Sequence, residues 1–492
     1  MTWLSKSEFI ELTKTNPDEF YNVISKKFSE LESIILEQKG LIEKQNQTIK
    51  LLEEKNLKLE SRVKELESRL NQNSKNSSKP PSSDSFKKNL ETRKSSRRKS
   101  GGQSGHKGTN LLMVKVPDTI KRYPAPLNCK SCGDTIIDIK SEISKAQEFD
   151  IPEIKIFVTE HQVEKKICSC GYCNISHDAP ILKNNTFYGD RIKSLIIYLK
   201  NHQMLPFYRT KQIIQDVLNH SISEGTFHNV EKECSKKLKV YEDIIKENIL
   251  NSAVVGADET STRTNGKNYW VHTAVSKLFS YFSVSRKRGM DGIESGGILN
   301  HFKGTLVHDF FKPYLKLLCK HVFCNVHILR ELISVTETTK HIWAEQMIQV
   351  LLLALETKKE IKDNKPDQEI IDEIQLLYDK AIQLGEKENP DFDVGGKKSK
   401  EINLLNRMKK YKPEIIRFLE QANIPFDNNA SERALRMIKV KNKISGCFRS
   451  VEGVENFCRV RSFMESCKKQ NLNILNSITM VFKNQNFQFS AE

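Results

Sequence analysis

The sequence contains no long apolar run. No stretch approaches the roughly 18 consecutive apolar residues that a membrane-spanning helix requires, and the short apolar runs are flanked by charged residues. The N-terminus, MTWLSKSEFIELTKTNPDEF, carries charges throughout and has no apolar segment of the kind found in a signal peptide. These absences argue against secretion and membrane insertion and predict a cytoplasmic protein.

The eleven cysteines should therefore be reduced, so clusters among them indicate metal binding rather than disulfides. Five of them fall in two short motifs, CKSC and CSCGYC: Cys129, Cys132, Cys168, Cys170 and Cys173. Two such motifs supply the four sulfur ligands of a structural Zn²⁺ site. Cys170 and Cys173 have ordinary spacing, whereas Cys168 and Cys170 need a tighter turn, and the choice stays open. His161 is an outside candidate, and free buried cysteines are the alternative.

The net charge of +17 and the isoelectric point of about 9.2 predict a polyanionic partner, nucleic acid first and an anionic membrane second. Many Lys and Arg lie in residues 76–110, a stretch rich in Pro, Ser and Gly with almost no apolar side chains. Such a segment cannot bury a core and is expected to be a disordered tether. Its Arg97, Arg98 and Lys99 are candidate contacts to DNA phosphates. A solvated linker is the alternative.

Residues 28–70 contain no proline and a single glycine, and they predict one long helix. Apolar residues repeat there with a period of seven, which is typical of a coiled coil. The a positions are Ile35, Ile42, Ile49, Asn56, Val63 and Leu70, and the d positions include Leu31, Leu52, Leu59 and Leu66. The lone Asn56 favours a parallel homodimer, because each amide pairs with its mate. An amphipathic helix packed on its own protein is the alternative.

Residues 181–250 have a helical pattern. Within them YRTKQIIQDVLN and EGTFHNVEKECSKKL are separated by HSIS. The order of helix, short turn and helix, with Ser223 as a candidate N-cap, predicts a helix-turn-helix that binds DNA. An ordinary helical hairpin is the alternative.

Residues 251–332 predict a sheet in which two strands carry acidic residues. AVVGA leads to Asp258, an Asn-Gly turn precedes YWVHTAV, and FSYFSVS gives a third antiparallel strand. After a helix near 291–302, GTLVH forms a fourth strand that ends at Asp309, and a fifth strand enters a helix. This order matches a ribonuclease-H-like domain, in which the first and fourth strands are neighbours. Asp258 and Asp309 would then share divalent ions.

A third carboxylate from a later helix would complete such a site, and DNNASERALR, residues 427–436, offers two. If Asn429 is the N-cap of a helix, Glu432 occupies the third helical position and acts as a capping partner. Asp427 lies about 140° around a helix from Glu432, so the two cannot face one cleft if both are helical. The residues alone leave the choice between ligand and cap open.

Taken in order, these motifs resemble transposases of the insertion sequence sixty-six family, bacterial proteins with an Asp-Asp-Glu (DDE) catalytic domain. The similar stretches are the zipper, NSSKPPSSD, GGQSGHKG, the cysteine motifs, HQMLPFYR, ADET, the Asp309 strand, CNVHILREL and DNNASERALR, within residues 31–470. The resemblance implies Asp258, Asp309 and Glu432 as the catalytic triad, with Mg²⁺ or Mn²⁺ as the cofactor.

The resemblance also implies a mostly helical insertion at about 333–425. Arg433 and Arg436 would lie beside the third acid and contact a DNA phosphate, with pairing to Glu432 or a surface position as the alternative. Cys324 and His327 match a Cys-x2-His motif of such transposases. We expect this motif to hold a strand-to-helix corner and do not count it as a metal site. The family further implies small companion proteins of the same element as partners.

The predicted fold class is a multidomain α+β protein. The predicted domains are an N-terminal helix with a leucine-zipper coiled coil (1–75), the tether (76–110), a zinc-binding domain (111–180), a helical segment (181–250), a ribonuclease-H-like catalytic domain (251–470) and a C-terminal tail (471–492). The predicted function is DNA transposition at the nucleoid, with binding of terminal inverted repeats and metal-dependent cleavage and joining. The alternatives are a DNA-binding regulator with an inactive nuclease fold and a nuclease without strand transfer.

Overall fold

The computed structural model describes residues 5–73, 76–77, 111–136, 143–175, 185–339, 341–360, 368–390 and 398–490. The predicted DNA contacts Arg97, Arg98 and Lys99 lie outside these residues. By its contacts the chain divides into two units, Met1–Ser85 with Arg330–Glu345, and Phe86–Leu329 with Gln346–Glu492. Helices combine with a five-stranded and a two-stranded sheet, which confirms the predicted α+β class.

The first unit contains the predicted long helix. Helix α1 spans Lys6–Thr15 and helix α2 spans Pro17–Leu70. Asn16 starts α2, because its side chain accepts the Glu19 N–H at 3.4 Å and the proline that follows needs no amide partner in the first turn. The helix therefore begins before the zipper and includes all of it.

The heptad positions of α2 face solvent in the single chain. Ile35, Ile42 and Leu59 are 52 %, 55 % and 61 % exposed. The helix thus presents an apolar seam, interrupted by Gln38, Gln45 and Asn56, that the described residues of its own chain leave about half uncovered.

Residues 111–175 contain two short hairpins around the cysteine motifs. Strands β1 (Lys165–Ile167) and β2 (Cys173–Ile175) pair antiparallel in the second hairpin, and an isolated β-bridge closes the first. Each hairpin turns at a glycine with positive φ, Gly133 at 81° and Gly171 at 85°. Glycine adopts this conformation without the steric cost that a Cβ imposes, which explains why each motif contains one.

Residues 190–251 are helical, as predicted. The helices are α3 (Asp190–Ile197), α4 (Phe207–Leu218), α5 (Glu224–Lys237) and α6 (Lys239–Asn251), with a π-helical turn at Tyr198–His202. Ser223 caps α5, since its hydroxyl accepts the Thr226 N–H at 3.3 Å. The predicted N-cap is confirmed.

A five-stranded mixed sheet follows. Its strands are β3 (Val254–Thr264), β4 (Lys267–Val275), β5 (Ser280–Ser285), β6 (Thr305–His308) and β7 (Lys320–Phe323), with α7 (Met290–Ser295) before β6. The order is β5-β4-β3-β6-β7, with β3 to β5 antiparallel and β6 and β7 parallel to β3. Asn265 and Gly266 have φ of 47° and 72°, as in a type I′ hairpin turn. The first and fourth strands are neighbours, as predicted.

Helices occupy most of the remaining chain. They are α8 (Asn325–Thr338), α9 (Trp343–Glu360), α10 (Gln368–Glu388), α11 (Lys400–Lys410), α12 (Lys412–Ile416), α13 (Asn429–Ser445), α14 (Val451–Lys469) and α15 (Ile474–Phe482). Short 3-10 turns lie at Tyr314–Lys316 and Arg417–Leu419. Within the described ranges, no helix has the length and apolar character needed to cross a membrane.

The sheet has a packed core on each face, because side chains alternate along a strand. Val271 and Val275 of β4 join a cluster with Phe457 of α14. Ala274, between them, faces the other way and joins a cluster with Ile245 of α6. Both faces are thus covered by helices.

Helix α14 also protects the edge strand β5. The Phe282 N–H donates to Ser462 Oγ at 2.9 Å, and the Ser280 N–H donates to Ser466 Oγ at 3.1 Å. The two serines are four residues apart and lie on one face of the helix. Their hydroxyls take the place of a further strand and keep the edge from pairing with another chain.

The segment predicted as a C-terminal tail contains α15, which is packed. Ile478 of α15 shares a buried cluster with Ile196 of α3, Phe227 of α5 and Phe463 of α14. The helices that precede the sheet and those that follow it therefore share one core.

Candidate active site

Asp258 and Asp309 are brought together by strand register. β3 and β6 are parallel, with Gly256 opposite Val307, and each aspartate lies two residues beyond this pair. The sequence predicts a strand that ends at Asp258. β3 instead continues to Thr264, because β4 pairs with it along its whole length. The opening beside Asp258 arises because β6 is much shorter than β3.

Helix α13 brings Glu432 toward the same strands. Its first turn packs on β3 at Gly256, where a Cβ atom would lie 2.5 Å from Ser431 Oγ and 2.6 Å from Asn428 Oδ1. Only glycine permits this approach. Asn428 Nδ2 then fixes it by donating to the Ala257 carbonyl oxygen at 2.7 Å. Glu432 therefore follows directly after a rigid contact with the strand that bears the first aspartate.

Asp427, rather than Glu432, caps this helix. α13 begins at Asn429 with Asn428 as the N-cap residue, one position earlier than predicted. Asp427 Oδ1 accepts the Asn429 N–H at 2.9 Å, and Oδ2 accepts the Asn429 side-chain amide at 2.6 Å. Glu432 Oε1 is buried and makes no hydrogen bond within the described part of the chain. The geometry thus favours a ligand role for Glu432 over a capping role.

The neighbouring carboxylates act electrostatically on Asp258. Burial, together with the negative charges of Glu259, Asp309 and Glu432, raises the pKa of Asp258 to about 7. Asp258 Oδ1 accepts the Glu259 N–H at 2.8 Å, and this hydrogen bond opposes the rise. Repulsion among buried carboxylates is relieved by a divalent cation, and oxygen donors suit Mg²⁺ or Mn²⁺. The donor set therefore fits such an ion chemically, while the oxygen atoms of Asp258, Asp309 and Glu432 do not all lie within 4.8 Å of one another.

A buried carboxylate next to Asp258 in the sequence, Glu259, was not predicted to have a role. Glu259, whose side chain is 2 % exposed, accepts hydrogen bonds from Arg288 Nε at 3.0 Å and from the Tyr314 hydroxyl at 2.7 Å. The Arg288 guanidinium also lies 4.8 Å and 4.4 Å from the ring centres of Trp270 and Phe311. Burial raises the pKa of Glu259, while its bonds to Tyr314 and Arg288 lower it. The sequence signal for Glu259 was its position directly after Asp258 in the motif ADET.

Cys324 and His327 lie beside Glu432. Cys324 directly follows β7, and His327 is in the first turn of α8. The His327 Nε2 atom is 3.6 Å from Glu432 Oε1, and the Asn428 N–H donates to Cys324 Sγ at 3.3 Å. Burial raises the pKa of the Cys324 thiol to about 12. The Cys-x2-His motif thus contacts the residues at the start of the helix that carries Glu432.

The cysteines of the two hairpins stand apart from this cluster. Among the described residues, three or more ligand atoms of His, Cys, Asp or Glu meet within 4.8 Å only at Cys324, His327 and Glu432. Cys132, Cys168, Cys170 and Cys173 are exposed, and Cys129 is half-buried. The hairpins therefore have the turns of a zinc site, with their sulfur atoms not gathered into one group.

The predicted DNA contacts on α13 are on the surface. Arg433 and Arg436 are exposed and follow Glu432 within the same helix. Residues three apart share a helix face, so both guanidinium groups can meet the same ligand.

The structure thus places Asp258 and Asp309 at the same level of two neighbouring parallel strands, and Glu432 on the helix that packs against the first of these strands. A sequence profile described as "Transposase IS66 family" matches residues 185–456. The chain belongs to that family, the one its motifs resemble. A second profile, described as a family of unknown function (DUF6444), matches residues 31–111.

One curated relative shares a shorter stretch. The "Uncharacterized protein y4jO" of Sinorhizobium fredii (strain NBRC 101917 / NGR234) is 39 % identical over 69 residues. The stretch covers 14 % of this chain and 22 % of the relative. The chain thus spans under a quarter of the length of the curated relative that it matches.

Proposed function

We propose that the protein is a DNA transposase whose Asp258, Asp309 and Glu432 form a DDE active site on a ribonuclease-H-like sheet. One observation supports the proposal: in a chain of this family, Asp258 and Asp309 lie on neighbouring parallel strands, and the helix that carries Glu432 packs on the first of them at Gly256. The strand order supports the fold assignment, since three antiparallel strands precede two parallel ones.

In this proposal Asp258, Asp309 and Glu432 hold Mg²⁺ or Mn²⁺. When bound, such ions activate an attacking hydroxyl and stabilise the leaving oxygen of a phosphodiester. The chain itself orients the ligands: backbone N–H groups of Glu259 and Phe311 donate to Asp258 and Asp309 at 2.8 Å and 2.9 Å. Because Asp258 has a pKa of about 7, its protonation competes with metal binding below neutral pH.

DNA binding rests on the basic character of the chain. A net charge of +17 suits a phosphate backbone. Arg433 and Arg436 would hold the strand next to the third acid, and the tether residues Arg97, Arg98 and Lys99 would follow phosphates further away. Helices α4 and α5 would contact the terminal inverted repeats in helix-turn-helix order. Such a protein would work at the nucleoid, with companion proteins of its element as further partners.

A structural Zn²⁺ would join the two cysteine hairpins. In both hairpins the N–H of the first cysteine donates across the turn: Cys129 N–H to the Asp134 carbonyl at 2.7 Å, and Cys168 N–H to the Tyr172 carbonyl, one residue nearer, at 2.9 Å. In each, the second cysteine directly precedes the turn glycine. By this match Cys168 and Cys170 correspond to Cys129 and Cys132. We assign these four as ligands and leave Cys173, on β2, outside the set.

Strand transfer tests the central proposal. A fluorescent duplex that carries the element end is incubated with a plasmid, Mg²⁺ or Mn²⁺, and the full-length protein. We expect a joined product from the wild type and a decrease of about 1,000-fold or more with Glu432→Gln, because loss of a ligand removes transition-state stabilisation. Asp427→Asn is the matched control, since this acid caps the same helix and should leave joining largely intact.

The other outcomes separate the alternatives. Cleaved ends without joined product would indicate a nuclease. Tight end binding with neither product, also in the presence of the element's companion proteins, would indicate a DNA-binding regulator. Equal joining by the wild type and Glu432→Gln would remove Glu432 from the triad.

A further inference from the structure

Cys324 and His327 have no task in the proposed phosphoryl chemistry, yet they meet its third acid. The Sγ, imidazole nitrogen and carboxylate oxygen of Cys324, His327 and Glu432 all lie within 4.8 Å of one another. They come from three places in the fold: the end of β7, the first turn of α8 and the first turn of α13. Local spacing brings Cys324 and His327 together, and the packing of α13 adds Glu432 from more than 100 residues later.

The distance between His327 and Glu432 is that of two ligands of one ion. His327 Nε2 and Glu432 Oε1 are 3.6 Å apart, beyond the roughly 3.2 Å limit of a good hydrogen bond. Two ligands at about 2.1 Å from a tetrahedral zinc ion lie about 3.4 Å from each other. The gap between the two side chains is therefore close to the one that a shared Zn²⁺ produces.

Buried polar atoms around the gap lack partners in the described residues. Glu432 Oε1 and His327 Nδ1 are buried without a hydrogen bond. A buried unsatisfied polar atom costs about 1–3 kcal/mol, so native proteins seldom keep one without a ligand or a water. A cation between the oxygen and the imidazole would satisfy Glu432 Oε1.

Two backbone N–H groups point at the Cys324 sulfur and partly oppose the burial that raises the pKa of its thiol. Backbone N–H groups of Asn428 and His327 donate to Cys324. Cys129, in the first cysteine hairpin, likewise receives the N–H groups of Cys132 and Ser131. Such donors stabilise the negative charge that a thiolate ligand carries.

We propose that Cys324, His327 and Glu432 form a Zn²⁺ site next to the DDE carboxylates, with a fourth position left for water or a phosphate oxygen. The S, N and O donors select zinc, whereas the all-oxygen set of Asp258 and Asp309 selects Mg²⁺ or Mn²⁺. Glu432 would belong to both sites, so zinc would fix the position of the third acid. The binding does not depend on the proposed transposase activity; only the sharing of Glu432 does.

Zinc content tests the site without any activity assay. Full-length wild type, Cys324→Ser and His327→Gln are loaded with Zn²⁺, dialysed, and analysed by atomic absorption. We expect each variant to hold about one zinc per chain fewer than the wild type, because a site of three protein ligands does not retain zinc with two. Cys447→Ser, which changes an exposed cysteine outside the cluster, should match the wild type. Any zinc bound by the cysteine hairpins contributes equally to all four proteins, so it does not affect the difference in zinc content between them.

Cobalt substitution provides a second measurement. Thiolate-to-cobalt absorption should decrease in Cys324→Ser and stay unchanged in Cys447→Ser, with circular dichroism as the check on folding. His327→Gln removes a proposed ligand but leaves the buried thiol of Cys324 unchanged. It therefore tests the site even if Cys324→Ser folds poorly. Equal zinc in the wild type and both cluster variants would overturn the proposal and leave Cys324 as a buried thiol that only packs. Loss of zinc from Cys324→Ser alone would also overturn it, because the imidazole would then not be a ligand.

Discussion

Helix α2 and the five-stranded sheet use apolar residues in opposite ways. The heptad residues Ile42 and Leu59 of α2 are 55 % and 61 % exposed, whereas Val271 and Phe282 of the sheet are 0 % and 2 % exposed. Both regions have regular apolar patterns; side chains of the described residues bury the pattern of the sheet but leave the pattern of α2 about half exposed. The comparison teaches that a regular apolar pattern indicates burial without indicating which molecule provides the covering surface. For α2, the period of seven leads us to predict that a second copy of the helix covers it.

The largest expected effect is on association through α2. Leu59→Ala removes a d-position side chain from both helices of a dimer, and each truncation of a buried leucine costs about 2–5 kcal/mol. We therefore expect the dimer dissociation constant to rise at least about 1,000-fold, measured by sedimentation equilibrium of the full-length protein. Leu57→Ala, on the same helix but outside the heptad seam, should change it little, and equal effects of the two would contradict the zipper.

Truncation of a core leucine should reduce folding stability and leave association unchanged. Leu238, between α5 and α6, is 1 % exposed and belongs to the core that α3, α5, α14 and α15 share. Leu238→Ala should reduce the free energy of unfolding by about 2–5 kcal/mol without changing the oligomeric state. Hydrogen exchange in peptides from α5 and α14 measures this. Leu36→Ala, at an exposed position of α2, is the matched control and should leave those peptides unchanged.

The carboxylate site is an exception within the well-packed sheet, because burial there destabilises the charged form of Asp258. The folded state raises the pKa of Asp258 from its ordinary 3.8 to about 7, so it binds a proton more tightly than the unfolded chain does. Stability from this group is complete below pH 3.8, decreases as pH rises toward 7, and stays low above it. Asp258→Asn should thus stabilise the metal-free protein by roughly 1–4 kcal/mol at pH 8 and much less at pH 4.

Thermal unfolding in the presence of a chelator, at both pH values, measures the effect of Asp258→Asn. Mg²⁺ should stabilise the wild type at pH 8 and not the variant, because the variant lacks a ligand charge. A variant that is less stable than the wild type at pH 8 would show that Asp258 is not strained by its neighbours.

Local pattern predicted a large part of this fold. The Asn-Gly turn, the five strands, the Ser223 cap and the long helix follow from residue type and spacing, which act over a few residues. The end of β3 did not, because β4 extends the strand beyond Asp258. The contact of Gly256 with Ser431 joins residues that are far apart in sequence, and no local rule contains it.

The sequence likewise indicated only part of the proposed site. Resemblance to a family supplied Asp258, Asp309 and Glu432 as a set. Glu259 with Arg288, and Glu432 with His327, were missed, because each contact depends on how loops and helices pack after the sheet has formed. The capping role of Asp427 was also missed, since it required the helix to begin at Asn429 instead of one residue later.

The smallest effect expected is at the edge of the sheet, where the chain supplies its own covering surface through two hydroxyl groups. Ser466→Ala removes the acceptor of the buried Ser280 N–H, and a buried unsatisfied donor costs about 1–3 kcal/mol. Exchange of the Ser280 amide should therefore quicken by a factor of about 5–150, with the Phe282 amide affected less because Ser462 remains. Ser221→Ala, at an exposed position, is the control. Unchanged exchange at Ser280 would mean that the helix protects β5 by excluding water alone, and the serine ladder would then have no part in keeping the edge closed.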